Sequence, residues 1–425
     1  MAEKKKIILS IEAIRGIAAI YVMLGHIVQL YQVYSYFPGY EFAIKTVFGY
    51  GHQAVLLFFI VSGFSITYSS YDIDLSDKES LKVYFFKRFR RIYPLFLIVL
   101  LFSLLVLKIT AIPSDLKRNV LSFLFLTDNA SGSIAYPIPT NYPIWSLSYE
   151  VVYYLLYPVL VFVWSKLGQK KTLIIILGIS IVSGLLGFAG WPNHIFNILQ
   201  YYWIWIAGAM LADAYVHEKK FGVKFLKGLL ISSIAIMLTI EEIPIVAFWF
   251  WSFFFILLFL LFYSDNQELS KGARIMNFSI GIGSVAICYF LTFFEEIVYH
   301  DDLLRIILMW LGIFTAVLYF IPEHFLKKSV RAMLNPFVRS GSFSYALYIL
   351  HWPLITLAVF LYSKYFSSSF LVMFVFIAIN ILIIILTSWF LEERLQPVFV
   401  RYLNKVYYRK SSSNLIISSK TSQVR

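Results

Sequence analysis

Apolar runs long enough to cross a lipid bilayer recur along almost the whole chain, and that recurrence constrains the fold more than any motif does. A hydrocarbon core about 30 Å thick needs roughly 20 apolar residues in a helix. Twelve segments approach that length: 13–34, 50–69, 92–109, 143–164, 172–190, 196–215, 225–240, 244–263, 275–293, 303–321, 343–362 and 369–391. The weakest are 196–215, which carries Asp213, and 225–240, which is short. Backbone polar groups in lipid must be satisfied within the segment, so such runs read as helices. The expected fold is an all-α polytopic transmembrane bundle of about 10–12 spans, since single boundaries carry an error of a few residues. It occupies residues 1–392, and residues 393–425 form a short basic tail. Composition agrees: 60% of residues are hydrophobic and 14% are charged, where soluble domains carry about 25% charge.

The net charge of +13 comes from 36 Lys and Arg against 23 Asp and Glu. These bases lie between apolar runs instead of on one surface, which excludes nucleic acid as the natural partner. They cluster in KKK at residues 4–6, in KRFRR at 87–91, at Lys327, Lys328, Arg331 and Arg339, and in the tail. Loop 110–142 holds only Lys117 and Arg118 as bases. Positive loops stay cytoplasmic, so both termini are expected in the cytoplasm and loop 110–142 outside. The N-terminus has no evident small-residue cleavage site and reads as a retained first span. Cys288 is the only cysteine, which excludes an intrachain disulfide and any cysteine metal site. No HExxH motif, phosphate loop, dinucleotide fingerprint or metal-binding carboxylate cluster is present. A homo-oligomer is compatible with such a bundle.

Within this apolar background, AIRGIAAIYVMLGH (13–26) places an arginine and a histidine on one helix. Eleven residues separate Arg15 from His26, so they differ by about 20° around the axis and by about 16 Å along it. With Arg15 at the cytoplasmic interface, His26 falls near mid-depth, where an imidazole must face protein or water. Such a ring can act as a general base, or it can bond a neighbouring helix while Arg15 anchors the span.

Other polar residues repeat this choice between chemistry and structure. In LLFFIVSGFSI (56–66), Ser62 and Gly63 allow close helix contact, and no base beside Ser62 marks it as a nucleophile. Arg88 and Arg91 in YFFKRFRRIYPLF (84–96) suit an anchor to anionic membrane lipids, or phosphate binding by guanidinium forks. In NYPIWSLSYEVVYYLLYP (141–158), Ser146, Glu150 and Tyr154 share a helix face; Glu150 can orient His26, hold a sugar hydroxyl or make a structural pair. In SFSYALYILHWPLI (342–355), Ser344, Tyr348 and His351 share a face. Pro353 removes a backbone bond there, and His351 is expected about a third of the way across from the cytoplasmic side, as either polar glue or part of a site. Glu392 and Glu393 are expected to pair with cytoplasmic bases. His52 and His194 lie near outer loops, His194 as an interfacial residue.

Five of these stretches, IRGIAAIYVMLGH, FFIVSGF, KRFRRIYP, WSLSYEVVYYLLYP and SYALYILHWP, occur in one order over about residues 11–391. Together they resemble the membrane-bound acyltransferase family 3 proteins, the O-acetyltransferase group that modifies bacterial surface glycans. The resemblance implies an integral protein of the bacterial cytoplasmic membrane. It implies acyl-CoA, most often acetyl-CoA, as donor substrate with no permanently bound cofactor, and a hydroxyl of a lipid-linked or exported glycan as acceptor. It makes Arg15 and His26 important for activity, links Arg88 and Arg91 to donor binding, and matches Glu150, Tyr345, His351 and Pro353 to its motifs; the expected roles are catalysis for His26 and Glu150, donor binding for Arg15, Arg88 and Arg91, and a supporting polar face of Tyr345, Tyr348 and His351. The family commonly shows about ten core spans, fewer than the twelve segments counted here. Some members carry an appended outer domain; here only a short tail follows the last span, so transfer is expected to be completed by the membrane unit or a separate partner. Direct transfer and a two-step route through an acyl-enzyme both remain open. So do a polytopic transporter of a glycan or lipid precursor, which also needs polar mid-depth residues, and a non-catalytic assembly protein.

Overall fold

A computed structural model describes residues 2–128, 136–189, 194–217, 226–239, 244–263, 271–293, 302–321, 323–366 and 370–407. Helices occupy all twelve apolar segments: α1 (Ala2–Leu30), α2 (Gly51–Ser69), α3 (Lys78–Thr110), α4 (Trp145–Leu167), α5 (Gln169–Phe188), α6 (His194–Val216), α7 (Leu226–Thr239), α8 (Pro244–Tyr263), α9 (Lys271–Leu291), α10 (Asp302–Phe320), α11 (Ser344–Tyr365) and α12 (Phe370–Trp389). Among the described residues nine of them are long and apolar enough to cross a membrane, while α7, α8 and α10 are shorter apolar helices. No strand occurs among these residues. Beyond α12 a π-helical turn, Phe390–Leu395, leads into further helix that reaches Tyr407. The first part of the expected tail is therefore helical, and residues 408–425 lie outside the described set.

The largest core joins α1, α2, α3, α4, α5, α6, α8 and α11, and α12 closes against α1 and α11. A separate small cluster of Ile231, Ala235, Val285, Cys288 and Leu308 joins α7, α9 and α10, so Cys288 serves as a packing residue. Large apolar side chains point outward along α3, α5, α9, α10 and α12, among them Leu101, Ile174, Phe290, Trp310 and Leu382. A water-facing surface rarely carries such a belt; a lipid-facing one does.

Close contact depends on missing side chains. Helices α2 and α6 cross where a Cβ on Gly63 would lie 1.9 Å from the Trp205 carbonyl oxygen, and one on Gly208 would lie 2.0 Å from that of Ile60. Without a driving force from water, helices in lipid associate by such backbone approach. Gly63→Ala is expected to lower the detergent-melting temperature by several degrees, the effect of an overpacking cost of about 1–3 kcal/mol. Gly178→Ala, with nothing within 4 Å of the new atom, should leave it unchanged. Equal melting of both variants would remove the crossing from the folding argument.

Prolines impose a second constraint. A proline inside a helix has no N–H for the carbonyl four residues back, and in lipid that carbonyl needs another donor. Each proline within a long helix of the main core has one supplied by a different element. Pro94 frees the Arg90 carbonyl, which accepts from Gln396 Nε2 at 3.0 Å. Pro158 frees the Tyr154 carbonyl, which accepts from the Tyr84 hydroxyl at 2.9 Å. Pro353 frees the Ile349 carbonyl, which accepts from Asn141 Nδ2 at 2.9 Å. Asn141→Leu is expected to cost about 1–3 kcal/mol by stranding that carbonyl. The same substitution on a Pro353→Ala background, where an N–H is restored, should cost clearly less. A double-mutant cycle of thermal stabilities measures the difference, and a zero coupling energy would rule out this role for Asn141.

Candidate active site

The first and eleventh helices run parallel, and their contact sets the register of the site. Gly16 and Gly341 let α1 meet the short helix Val338–Ser342: a Cβ on Gly16 would lie 2.7 Å from the Gly341 nitrogen, and one on Gly341 would lie 2.2 Å from the Glu12 carbonyl oxygen. Arg15 then donates from Nη2 to the Gly341 carbonyl at 2.5 Å and to Glu12 Oε2 at 2.7 Å. A cation on the last carbonyls of a helix is favourable. From this shared level the chain climbs eleven residues along α1 to His26 and ten along α11 to His351. Equal rise brings the two imidazoles together: His26 Nδ1 lies 2.8 Å from His351 Nε2, with the rings nearly coplanar. His351 therefore lies level with His26.

His351 is fully buried, whereas His26 is only half-buried. The Trp352 ring packs edge-on against His26 at 4.7 Å, and its Nε1 donates to the Pro139 carbonyl at 3.1 Å. Glu150 is not bonded to His26. It accepts a hydrogen bond from the Tyr154 hydroxyl, and Ser62 also bonds it. Ser146, one turn before it, pairs with the Tyr348 hydroxyl at 2.7 Å. Glu150 thus lies toward the arginine end of the site, and Arg15 and Arg91 are the cations whose field reaches it.

The supporting tyrosines have given their protons to backbone. Tyr348 donates to the Pro143 carbonyl at 2.9 Å and Tyr345 to that of Ile92 at 2.9 Å. Both brace α11, and His351 alone of the three touches His26. Ser62 Oγ lies 3.2 Å from the Tyr154 hydroxyl and accepts from Trp205 Nε1 at 3.2 Å, so it has the packing role and no imidazole beside it.

The three arginines differ in their partners. Arg91 pairs with Glu392 at 2.5 Å. The π-helical turn carries Glu392 inward, where its other oxygen accepts from the Ala346 N–H at 2.7 Å, in the first turn of α11. Arg15 has Glu12. Arg88 donates to hydroxyls, Ser69 at 2.9 Å and Ser70 at 2.7 Å, and lies over the Tyr84 ring at 5.2 Å, with no acidic partner among the described residues.

A family profile described as "Acyltransferase domain" matches residues 8–389. The chain belongs to this acyltransferase family. It is also similar to "Acyltransferase MdmB" of Streptomyces mycarofaciens, at 30% identity over 168 residues, which are 38% of this chain and 40% of that protein. The match spans well under half of that relative's length. No solved structure matches.

In this acyltransferase-family chain, sequence reasoning missed one buried polar cluster at the end of the bundle away from the arginines. Asp128 is fully buried. It accepts from the Tyr149 hydroxyl at 2.7 Å and from Asn197 Nδ2 at 2.9 Å, with His194 Nδ1 at 3.2 Å. His194 is buried. An isolated aspartate in a polar loop carries no periodic signal, so only the fold reveals it. A separate cavity of about 590 Å³ between α5, α6 and α8 is lined by Leu173, Leu177, Trp203, Met210, Trp249 and Phe253, among others. It shares no residue with the imidazole site and suits a hydrocarbon chain better than a nucleotide.

The partners separate two arginine phenotypes. Arg91→Gln strands the buried Glu392 and is expected to cost about 1–3 kcal/mol of stability. Arg88→Gln should leave melting unchanged and instead weaken coenzyme A binding, measured by calorimetry on protein in nanodiscs. Unchanged binding in Arg88→Gln would return that residue to a lipid-anchoring role.

Proposed function

We propose that the protein is an integral membrane acyltransferase that moves an acyl group, acetyl by the fit to its family resemblance, from cytoplasmic acyl-CoA to a hydroxyl of a lipid-linked or surface glycan. The observation that carries this reading is the half-buried His26, held against His351 on the same column as Glu150 and the arginines. Positive-inside charge puts the arginine end at the cytoplasm with both termini, in the bacterial cytoplasmic membrane. The guanidinium of Arg88, free of any described acid, supplies a phosphate contact for coenzyme A there; Arg15 and Arg91 add to the positive field while they hold α1, α11 and α12 together. The thioester arm then extends past Glu150 toward His26.

At His26 the acceptor oxygen attacks the thioester carbon. The new C–O bond forms as the C–S bond breaks, and the ring takes the hydroxyl proton and returns it to the departing thiolate. A serine-borne acyl intermediate is not invoked at Ser62, which has no imidazole beside it and is bonded to Tyr154, Trp205 and Glu150. Glu150, bonded by Tyr154 and Ser62, is a fixed acceptor for N–H or O–H groups of the bound substrates.

His26→Ala is expected to reduce transfer by at least about 100-fold, the usual scale for loss of a general base, with membrane insertion and melting retained. The assay is transfer of labelled acetyl from acetyl-CoA into envelope glycans by membranes of cells with and without the gene, read by mass spectrometry. A glycan translocated without added acyl mass would replace this reading with transport.

A further inference from the structure

The two imidazoles carry more information than their proximity. His351 Nδ1 lies 3.1 Å from the carbonyl oxygen of Leu347. A carbonyl can only accept, so Nδ1 bears the hydrogen; the opposite tautomer would set a ring lone pair against that oxygen. A doubly protonated His351 would put a charge on a ring of 0% exposure with no carboxylate against it among the described residues, a costly arrangement. His351 is therefore neutral, with its lone pair on Nε2. That atom faces His26 Nδ1 at 2.8 Å, so His26 must donate from Nδ1, and its own lone pair falls on Nε2. This nitrogen makes no hydrogen bond with any described residue.

We infer that His351 is a positioning residue that fixes the tautomer of His26, making Nε2 the nitrogen that takes the acceptor proton, with the Leu347 carbonyl as the fixed end of the relay. The inference rests on the proposed acyl transfer for its consequence but not for its geometry. His351 Nε2, its ring held by the Leu347 carbonyl, fills the place at which a carboxylate orients the base in many hydrolases. The difference matters in lipid, because a neutral relay adds no buried charge. Once His26 carries the proton, Nδ1–H still donates to the same lone pair, so proton uptake requires no rearrangement of the pair. The α1–α11 register that makes this possible is the one set by Gly16, Gly341 and Arg15.

The test is nitrogen NMR on protein with ¹⁵N-labelled histidine in nanodiscs, with the His26 signals assigned by loss in His26→Ala. The expected state is protonated Nδ1 and bare Nε2. His351→Leu, which cannot accept, should move the proton to Nε2, while His52→Leu, which removes the other imidazole in electrostatic reach, should not. In transfer assays His351→Leu should lower kcat by about 100-fold with acyl-CoA affinity unchanged. His351→Gln, whose amide oxygen can accept from His26, should recover most of that loss. A wild-type protein with Nε2 protonated, or a tautomer unaffected by His351→Leu, overturns the assignment. Wild-type protein with the expected tautomer but no acyl transfer would instead overturn the proposed function and leave the relay standing.

Discussion

Inside a bilayer every backbone polar group must find a partner without help from water, and the architecture of this protein follows from how that demand is met where helices are broken. Pro94, Pro158 and Pro353 each release a carbonyl, and each carbonyl is bonded by a side chain from elsewhere: Gln396, Tyr84 and Asn141. These are also the places where the site is assembled. The Tyr154 carbonyl belongs to the residue whose hydroxyl bonds Glu150. Gln396 donates to the Arg91 carbonyl as well, at 2.7 Å. Ile349 stands two residues from His351. A kink costs hydrogen bonds, but in lipid it also creates an acceptor of known position, and a buried donor on another helix can fix relative placement with it. Rigid positioning of polar groups is what a reaction site needs.

The same economy explains why side chains of one type take different parts. Arg15, Arg88 and Arg91 look interchangeable as bases near a membrane interface. Their neighbours divide them: a helix C-terminus and Glu12 for Arg15, hydroxyls for Arg88, and a buried glutamate for Arg91. Removing the partner of a buried charge costs far more than removing an exposed charge, so Arg91 belongs to the frame. The π-helical turn at Phe390–Leu395 makes this so. It turns Glu392 to the interior while the adjacent Glu393 stays outside, bonded to Ser342 at 2.5 Å. Single-turn π geometry often marks functional regions, and here it joins α3, α11 and α12 through one carboxylate.

Much of the fold was legible because lipid enforces simple rules. Apolar length located all twelve helices, and helical spacing placed Arg15 with His26, Ser146 with Glu150 and Tyr154, and Ser62 with Gly63 at a close contact. Three things were not legible, for one physical reason: they depend on register between helices far apart in sequence. That His351 stands level with His26 follows from the contact of α1 with the short helix before α11. Glu150 shares a face with Ser146, but which neighbour that face meets is set by α2 and not by α1. Asp128 is an ordinary loop residue until the chain folds back over Tyr149 and Asn197. Within-helix periodicity reports which residues share a face; it carries no term for the height at which two faces meet. The partners of Tyr345 and Tyr348, the Ile92 and Pro143 carbonyls, likewise lie on distant elements.

The placement of charge through the bundle then has a consistent logic. Full charges gather at the arginine end, where phosphate and water can meet them. Around the imidazole pair the described contacts are the Trp352 and Tyr348 rings and the Leu347 carbonyl, which bring no desolvation cost of an ion. The carboxylate on the far side, Asp128, is surrounded by Tyr149, Asn197 and His194, three separate hydrogen-bonding side chains. In the proposed transfer, a proton exchanged at His26 moves among these neutral groups. A salt bridge at that depth would hold its proton too firmly to pass it between an alcohol and a thiol. A neutral imidazole pair can take the proton and give it back, which is the property that acyl exchange in the interior of a membrane protein demands.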